Sequence, residues 1–145
     1  MIVRALLKAK QSNEVATTTA DQTVGETAKL LHRWRIGATL VVDQQGAIVG
    51  IISERDILRG LAEHGGKVET LPTAELMTRS VMTCSPDDTI EQIMGMMTNK
   101  RIRHLPVMED GKLVGIITIG DVVKSRMEEA TMQVDQLRDY VMAGR

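Results

Sequence analysis

A chain of 145 residues, 43% of them hydrophobic, has material for one core of ordinary size or for two small units. Eighteen Lys and Arg balance nineteen Asp and Glu, and the aromatic inventory is Trp34 and Tyr140 with no Phe. That composition excludes a disordered chain, a general nucleic-acid binder that needs excess positive charge, and an aromatic base-stacking platform for RNA.

The single cysteine, Cys84, permits no intramolecular disulfide and no thiolate zinc site, so a reducing, cytoplasmic compartment is expected. His32, His64 and His104 lie far apart without metal-spaced partners, and no metal is expected. The apolar run from Ile2 to Leu7 is broken by Arg4 and is too short for a signal-peptide core. No stretch approaches the roughly 20 apolar residues that span a bilayer. Neither G-x-G-x-x-G nor a Walker loop occurs, and no catalytic constellation stands out, so the expectation is a binding protein and no enzyme.

In chain order, Val15–Thr18 reads as a short extended segment, and Asp21 as the opening of a helix from Thr23 to Arg33. Strand-like Thr39–Val42 and Ile48–Ile52 follow across a turn, and a second helix starts at about Glu54. A junction runs from Gly65 to Pro72, with a helical turn at Thr73–Met77. The pattern then recurs: extended Val81–Cys84, Asp87 or Asp88 opening a helix from Thr89 to Asn99, strands Leu105–Met108 and Leu113–Ile117, and a helix from Ile119. Ile90, Ile93, Met94 and Met97 give that third helix its apolar spacing.

The two halves are copies of one unit. Gly46, Val49, Gly50, Ile51, Ile52 and Asp56 recur 65 residues on as Gly111, Val114, Gly115, Ile116, Ile117 and Asp121. Upstream the offset is 66, pairing Thr17, Asp21, Thr23, Arg35 and Ile36 with Thr83, Asp87, Thr89, Arg101 and Ile102. The one-residue change falls between Asp43 and Gly46, in a hairpin turn where Gly46 and Gly111 can supply positive φ. The expected class is mixed α/β (α+β): two β-α-β-β-α repeats about a pseudo-twofold axis, with clefts between them, followed by a C-terminal extension helix. Expected boundaries are 1–66 for the first repeat with an N-terminal helix, 67–128 for the second, and 129–145 for the extension.

Ser53 and Thr118 fall where a strand gives way to a helix, a location whose free N–H groups and dipole favour an anion. Asp56 and Asp121, three residues on, can accept both hydroxyls of a ribose. The same Ser/Thr-x-x-Asp spacing is a helix-capping signal, and both roles can coexist. Basic residues gather at one edge of each repeat: Arg33 and Arg35 in the first, Lys100, Arg101, Arg103 and His104 in the second, with Arg55 inside the first signature. Nine of the ten methionines occur from Met77 onward and read as core filling.

The segments G-I-I-S-E-R-D at 50–56 and G-I-I-T-I-G-D at 115–121, supported by R-I-G-A-T-L-V-V-D at 35–43 and R-I-R-H-L-P-V at 101–107, resemble a tandem CBS-domain pair. The resemblance implies a non-catalytic regulatory module whose clefts bind adenosine-containing ligands such as AMP, ADP or ATP and which signals nucleotide or energy state to a partner. It implies ribose and phosphate contacts at Ser53, Asp56, Thr118 and Asp121. Gly37, Ala38 and Arg55 in the first repeat are implied near the ligand, as are Arg101, Ile102, Arg103, His104 and Pro106 in the second, with Thr17 and Thr83 at matched positions. The alternative is a structural dimerisation adaptor without a physiological ligand; nucleic-acid binding ranks last.

Val123, Met127, Ala130, Val134, Leu137 and Val141 step by 4, 3, 4, 3 and 4, a heptad seam on the last helix. That helix, some 30 Å long, outruns its own repeat and is expected to help form a homodimer rather than fold back over Ile2–Leu7.

Overall fold

The computed structural model describes residues 1–144. Ten regular elements follow in order: α1 (Val3–Ala9), β1 (Thr17–Thr18), α2 (Val24–Trp34), β2 (Ala38–Val42), β3 (Ile48–Ser53), α3 (Glu54–His64), α4 (Ile90–Lys100), β4 (His104–Glu109), β5 (Lys112–Thr118) and α5 (Ile119–Ala143). Two 3-10 turns, Gly65–Thr70 and Thr73–Glu75, occupy the junction. The fold is mixed α/β, with two copies of one unit and a long last helix.

Both copies use the same pairing. In the first, β1 runs parallel to β2 and β2 antiparallel to β3, in the order β1-β2-β3. In the second, β4 and β5 are antiparallel, and a parallel bridge from Cys84 to Val107 takes the place of β1. Each hairpin has its register irregularity at the same point, Val41/Val42 and Val107/Met108. The one-residue length change lies in the turn, as expected. Asp110 and Gly111, at φ 53° and 75°, close the second hairpin in the two-residue manner of Asp-Gly. In the longer first turn, the Asp43 carboxylate accepts from the N–H groups of Gln45 and Ala47.

The helices start at the expected Thr23 and Thr89, but Asp21 and Asp87 or Asp88 do not open them. Thr23 and Thr89 are the N-caps of α2 and α4, accepting from Glu26 N and Gln92 N, and Asp21, Asp87 and Asp88 lie outside the helices. A carboxylate two residues or one residue before the cap serves the turn instead: Asp88 accepts from Ser85 N and Asp21 from the Thr19 hydroxyl. Both helices end on a non-glycine residue in the left-handed region, Arg35 and Arg101, each at φ 54°.

The chain divides into two compact units, but not at the expected boundaries. One is residues 14–82; the other is residues 1–13 together with residue 83 onward. Thus α1 belongs with the second repeat and the junction 67–82 with the first. The backbone gives the reason. Thr73 N donates to Gln22 O, and Ala74 N to Ala20 O, fastening the junction to the first repeat. Val3 N donates to Asp88 O, and Arg4 N to Pro86 O, fastening α1 to the second in the same way. Each repeat is completed by the segment that precedes its sister.

Glycine in the third strand makes room for that segment. A methyl group at Gly50 would lie 2.7 Å from Met77 Sδ and 3.0 Å from Thr78 O, and one at Gly115 would lie 2.8 Å from Leu7 Cδ2. Arg4 adds a guanidinium bond to Glu109 at 2.6 Å and another to Asp87 at 3.2 Å, which raise its pKa further, the Glu109 bond most.

The cores differ in chemistry. In the first unit Val24, Val41, Ile52, Val68, Leu76 and Met77 pack together. Beside them runs a hydroxyl chain: Thr73 donates to Gln22 O at 2.8 Å, which leaves Thr27 to donate to Thr73 at 2.8 Å and Thr18 to Thr27 at 3.0 Å. The matching positions in the second unit are Val3, Ile93 and Cys84, all buried and without a hydroxyl. Val3, Ile93, Leu105, Val107 and Ile117 are fully covered there, each contributing about 1.5–3 kcal/mol by burial. The methionines are mostly not core: Met77 and Met97 are buried, whereas Met94, Met127, Met132 and Met142 are exposed.

Gly50→Ala is expected to cost about 1–3 kcal/mol in urea denaturation, because its methyl would press on a backbone carbonyl. Gly115→Ala should cost less, since the facing Leu7 methyl can rotate aside. Equal losses would contradict this account.

Candidate functional site

Each unit builds the same corner at the end of its third strand. In the first, Ser53 caps α3 reciprocally: its Oγ accepts from Asp56 N, and Asp56 Oδ2 accepts from Ser53 N at 2.9 Å and Ser53 Oγ at 3.1 Å. Thr118 and Asp121 repeat the arrangement at α5, with Thr118 N donating to Asp121 Oδ2 at 2.9 Å. The capping role is therefore present at both signatures. It stabilises each helix start by about 1 kcal/mol and holds the carboxylate at a fixed place, buried at Asp56 and partly exposed at Asp121.

The strand pairing sets the second wall of the corner. Ala38 lies opposite Ser53, and His104 opposite Thr118. Glu54 N donates to Gly37 O, and Ile119 N to Arg103 O, so the residues just before β2 and β4 are tied to the first turns of α3 and α5. Gly37 and Ala38 therefore stand with Ser53 and Asp56. Arg103 and His104 stand with Thr118 and Asp121. Arg103 is exposed and His104 half-buried, so the wall before β4 carries a guanidinium where the wall before β2 offers Gly37 and Ala38.

The remaining candidates sit around these corners. Arg55 projects from the first turn of α3 and is exposed. Arg101 is the left-handed cap of α4, Ile102 follows it half-buried, and Pro106 is buried within β4. Thr17 pairs with Leu40 in β1, and Thr83 precedes the Cys84 bridge. Arg33 and Arg35 are elsewhere: with Leu31, Ile57, Leu58 and Leu61 they line a groove of about 730 Å³ between α2 and α3.

Two functional-looking residues escape sequence inspection. Arg59 Nη2 donates to Asp56 Oδ1 at 3.0 Å, a pairing that the i, i+3 spacing on α3 would have revealed. Lys10 Nζ donates to Asp121 Oδ2 at 3.0 Å across 111 positions of chain, for which local sequence offers no signal. Among the described residues no cluster of His, Cys, Asp or Glu could hold a metal, and no helix is long and apolar enough to cross a membrane.

Comparison with known proteins shows the family of the fold. The CBS domain family matches residues 7–63 and 74–128. The chain belongs to the CBS-domain family, as a tandem pair. It is 34% identical over 130 residues to the mitochondrial CBS domain-containing protein CBSX3 of Arabidopsis thaliana, covering 87% of this chain and 63% of that protein's length. The crystal structure of the CBS-domain containing protein ATU1752 from Agrobacterium tumefaciens superposes with a TM-score of 0.84 at 40% identity, covering 87% of this chain and 99% of that one. The CBS pair of protein MJ0100, solved in complex with 5-methylthioadenosine and S-adenosyl-L-methionine, gives a TM-score of 0.78 at 29% identity, covering 89% of this chain and 98% of that one.

Cys84 is a packing residue beside this site. Burial, with a smaller contribution from Asp88, pushes its thiol up to about 12. Alkylation at pH 8 should thus be at least about 100-fold slower in the folded than in the unfolded chain. The pH dependence has a definite sign. Below pH 9 the thiol is protonated in both states and stability is unaffected; between 9 and about 12 only the unfolded chain ionises, so stability falls as pH rises. Rapid native alkylation would contradict a packing role.

Proposed function

We propose that this chain is a non-catalytic regulatory module that binds adenosine-containing ligands, AMP, ADP, ATP or a relative, at the strand-to-helix corners, and signals nucleotide state to a protein partner in the cytoplasm. One observation carries the reading. Each repeat presents a capped carboxylate at the start of a helix, where the carboxylate can accept from a ribose diol and the positive end of the helix dipole favours a phosphate. The adenosine compounds bound by MJ0100 support the same ligand class. The carried-over contacts are Thr17, Gly37, Ala38, Ser53, Arg55 and Asp56 in the first repeat. In the second they are Thr83, Arg101, Ile102, Arg103, His104, Pro106, Thr118 and Asp121.

An adenosine ligand at 100 times its Kd should add about 2.7 kcal/mol of stability, and pyrimidine nucleotides much less. Asp121→Asn keeps the shape of the cap; it should cost roughly 1 kcal/mol of stability and weaken nucleotide binding at its corner at least tenfold in calorimetry. No melting shift with any adenosine compound at millimolar concentration would leave the adaptor reading in its place.

The module acts as a homodimer. Leu58 on α3 and Val123 on α5 occupy matching positions, and both are more than half exposed, at 67% and 51%. The seam continues along α5 through Met127, Val134, Leu137 and Val141, exposed by 51–65%. α1 does not cover it, since Met1 reaches only Ser125 and Glu129. At about 1.5 Å per residue, α5 extends some 37 Å, and a second copy of the same seam is its natural cover. Sedimentation should show a dimer at tens of micromolar. Val134→Lys with Leu137→Lys should shift it toward monomer, and a double variant that stays dimeric would remove α5 from the interface.

A further inference from the structure

The two corners hold their carboxylates differently. Asp56 is paired with Arg59 from its own helix, and that guanidinium, 54% exposed and otherwise held only by a long 3.4 Å bond to Leu76 O, can swing into water without moving any backbone. Asp121 is paired with Lys10, which is only 26% exposed and arrives on a segment anchored by buried Val3, Leu6 and Leu7. Lys10 Nζ also donates to Ile116 O at 2.9 Å.

That second bond explains why the ammonium stays. In the first unit the corresponding strand position, Ile51, exchanges both backbone bonds with Thr78, at 2.9 and 2.8 Å. In the second unit, among the described residues, no backbone segment does the same for Ile116. The chain from Val3 to Val15 is four residues longer than its counterpart from Thr73 to Val81, and Lys10 lies in that surplus. A side-chain ammonium thus replaces a backbone N–H at the edge of β5 and reaches on to the signature carboxylate.

We infer that Lys10 is a latch on the second-repeat site, competing with a ligand's ribose for Asp121. This rests on the adenosine reading of the corner given above. A ribose diol requires carboxylate oxygens as acceptors, and Oδ2 already receives Thr118 N and Lys10 Nζ. To seat both hydroxyls on the carboxylate, the ligand must share Oδ2 with the ammonium or displace it, and an ammonium that swings away also leaves Ile116 O without its donor. Neutral adenosine offers the displaced ammonium no new partner. A phosphate-bearing ligand does, and the basic Arg103–His104 edge adds to that preference. The latch therefore makes the second site selective for charged nucleotides, whereas Arg59, held to Leu76 O by a longer bond of 3.4 Å and open to water, imposes a weaker demand on the first.

The test uses the full chain carrying Asp56→Asn, so that the second site dominates calorimetry. Lys10→Met should tighten adenosine about fivefold and narrow the preference for AMP over adenosine. Lys10→Arg, which keeps a cation on Asp121, should restore the wild-type values. Lys10→Gln, which keeps a donor for Ile116 O without the charge, should act like Lys10→Met and serves if the latter folds poorly. Adenosine affinity unchanged or weakened by both neutral variants overturns the latch alone. Binding of neither compound to wild type or to any variant overturns the ligand reading together with the latch.

Discussion

The structure depends on the close approach of a preceding segment to a strand glycine. The segment preceding each repeat crosses the third strand of the other, at Gly50, where a methyl would press on the Thr78 carbonyl, and at Gly115, where it would press on the Leu7 side chain. Once there, its N–H groups bond to the loop before α2 or α4, and its apolar residues close the core beneath. The corner at the end of the third strand inherits its position from this contact. Ser53, Asp56, Thr118 and Asp121 are fixed because the strands leading to them are clamped.

Local patterns were legible because local physics makes them. The second helices begin at Glu54 and Ile119 as the spacing indicated, and the length change sits in the hairpin turn, since cap and turn chemistry depend on a few neighbouring residues. The assignment of segments was not legible in the same way. Ile2–Leu7 shows an apolar run but nothing that says which repeat it completes; the answer lies in the N–H of Val3 meeting the carbonyl of Asp88. Asp21 and Asp87 looked like caps because acidic residues favour helix starts, but Thr23 and Thr89, placed at the true first turn, took the role. At the site, the Ser/Thr-x-x-Asp signature was readable in outline. The cation on Asp121 was not, because the partner is 111 residues away.

Duplication has left the two halves with one backbone plan and two interiors. Three threonines share hydrogen bonds in the first, where valine, isoleucine and cysteine fill the same places in the second. The hydroxyl chain is satisfied end to end, which is what permits polar groups to be buried there at little cost. It also fixes direction: with the Gln22 carbonyl as the terminal acceptor, every hydroxyl proton points the same way. Hydrophobic packing in the second unit imposes no such order.

The crossing of α1 has a consequence for how the chain is made. Residues 14–82 form a contiguous unit and can complete their core while the rest is still on the ribosome. Residues 1–13 cannot. Their partners, from Pro86 to Glu129, are synthesised about 80 to 130 residues later, so α1 leaves the exit tunnel well before the residues it docks against. For that interval Leu6 and Leu7 lack the core that later covers them.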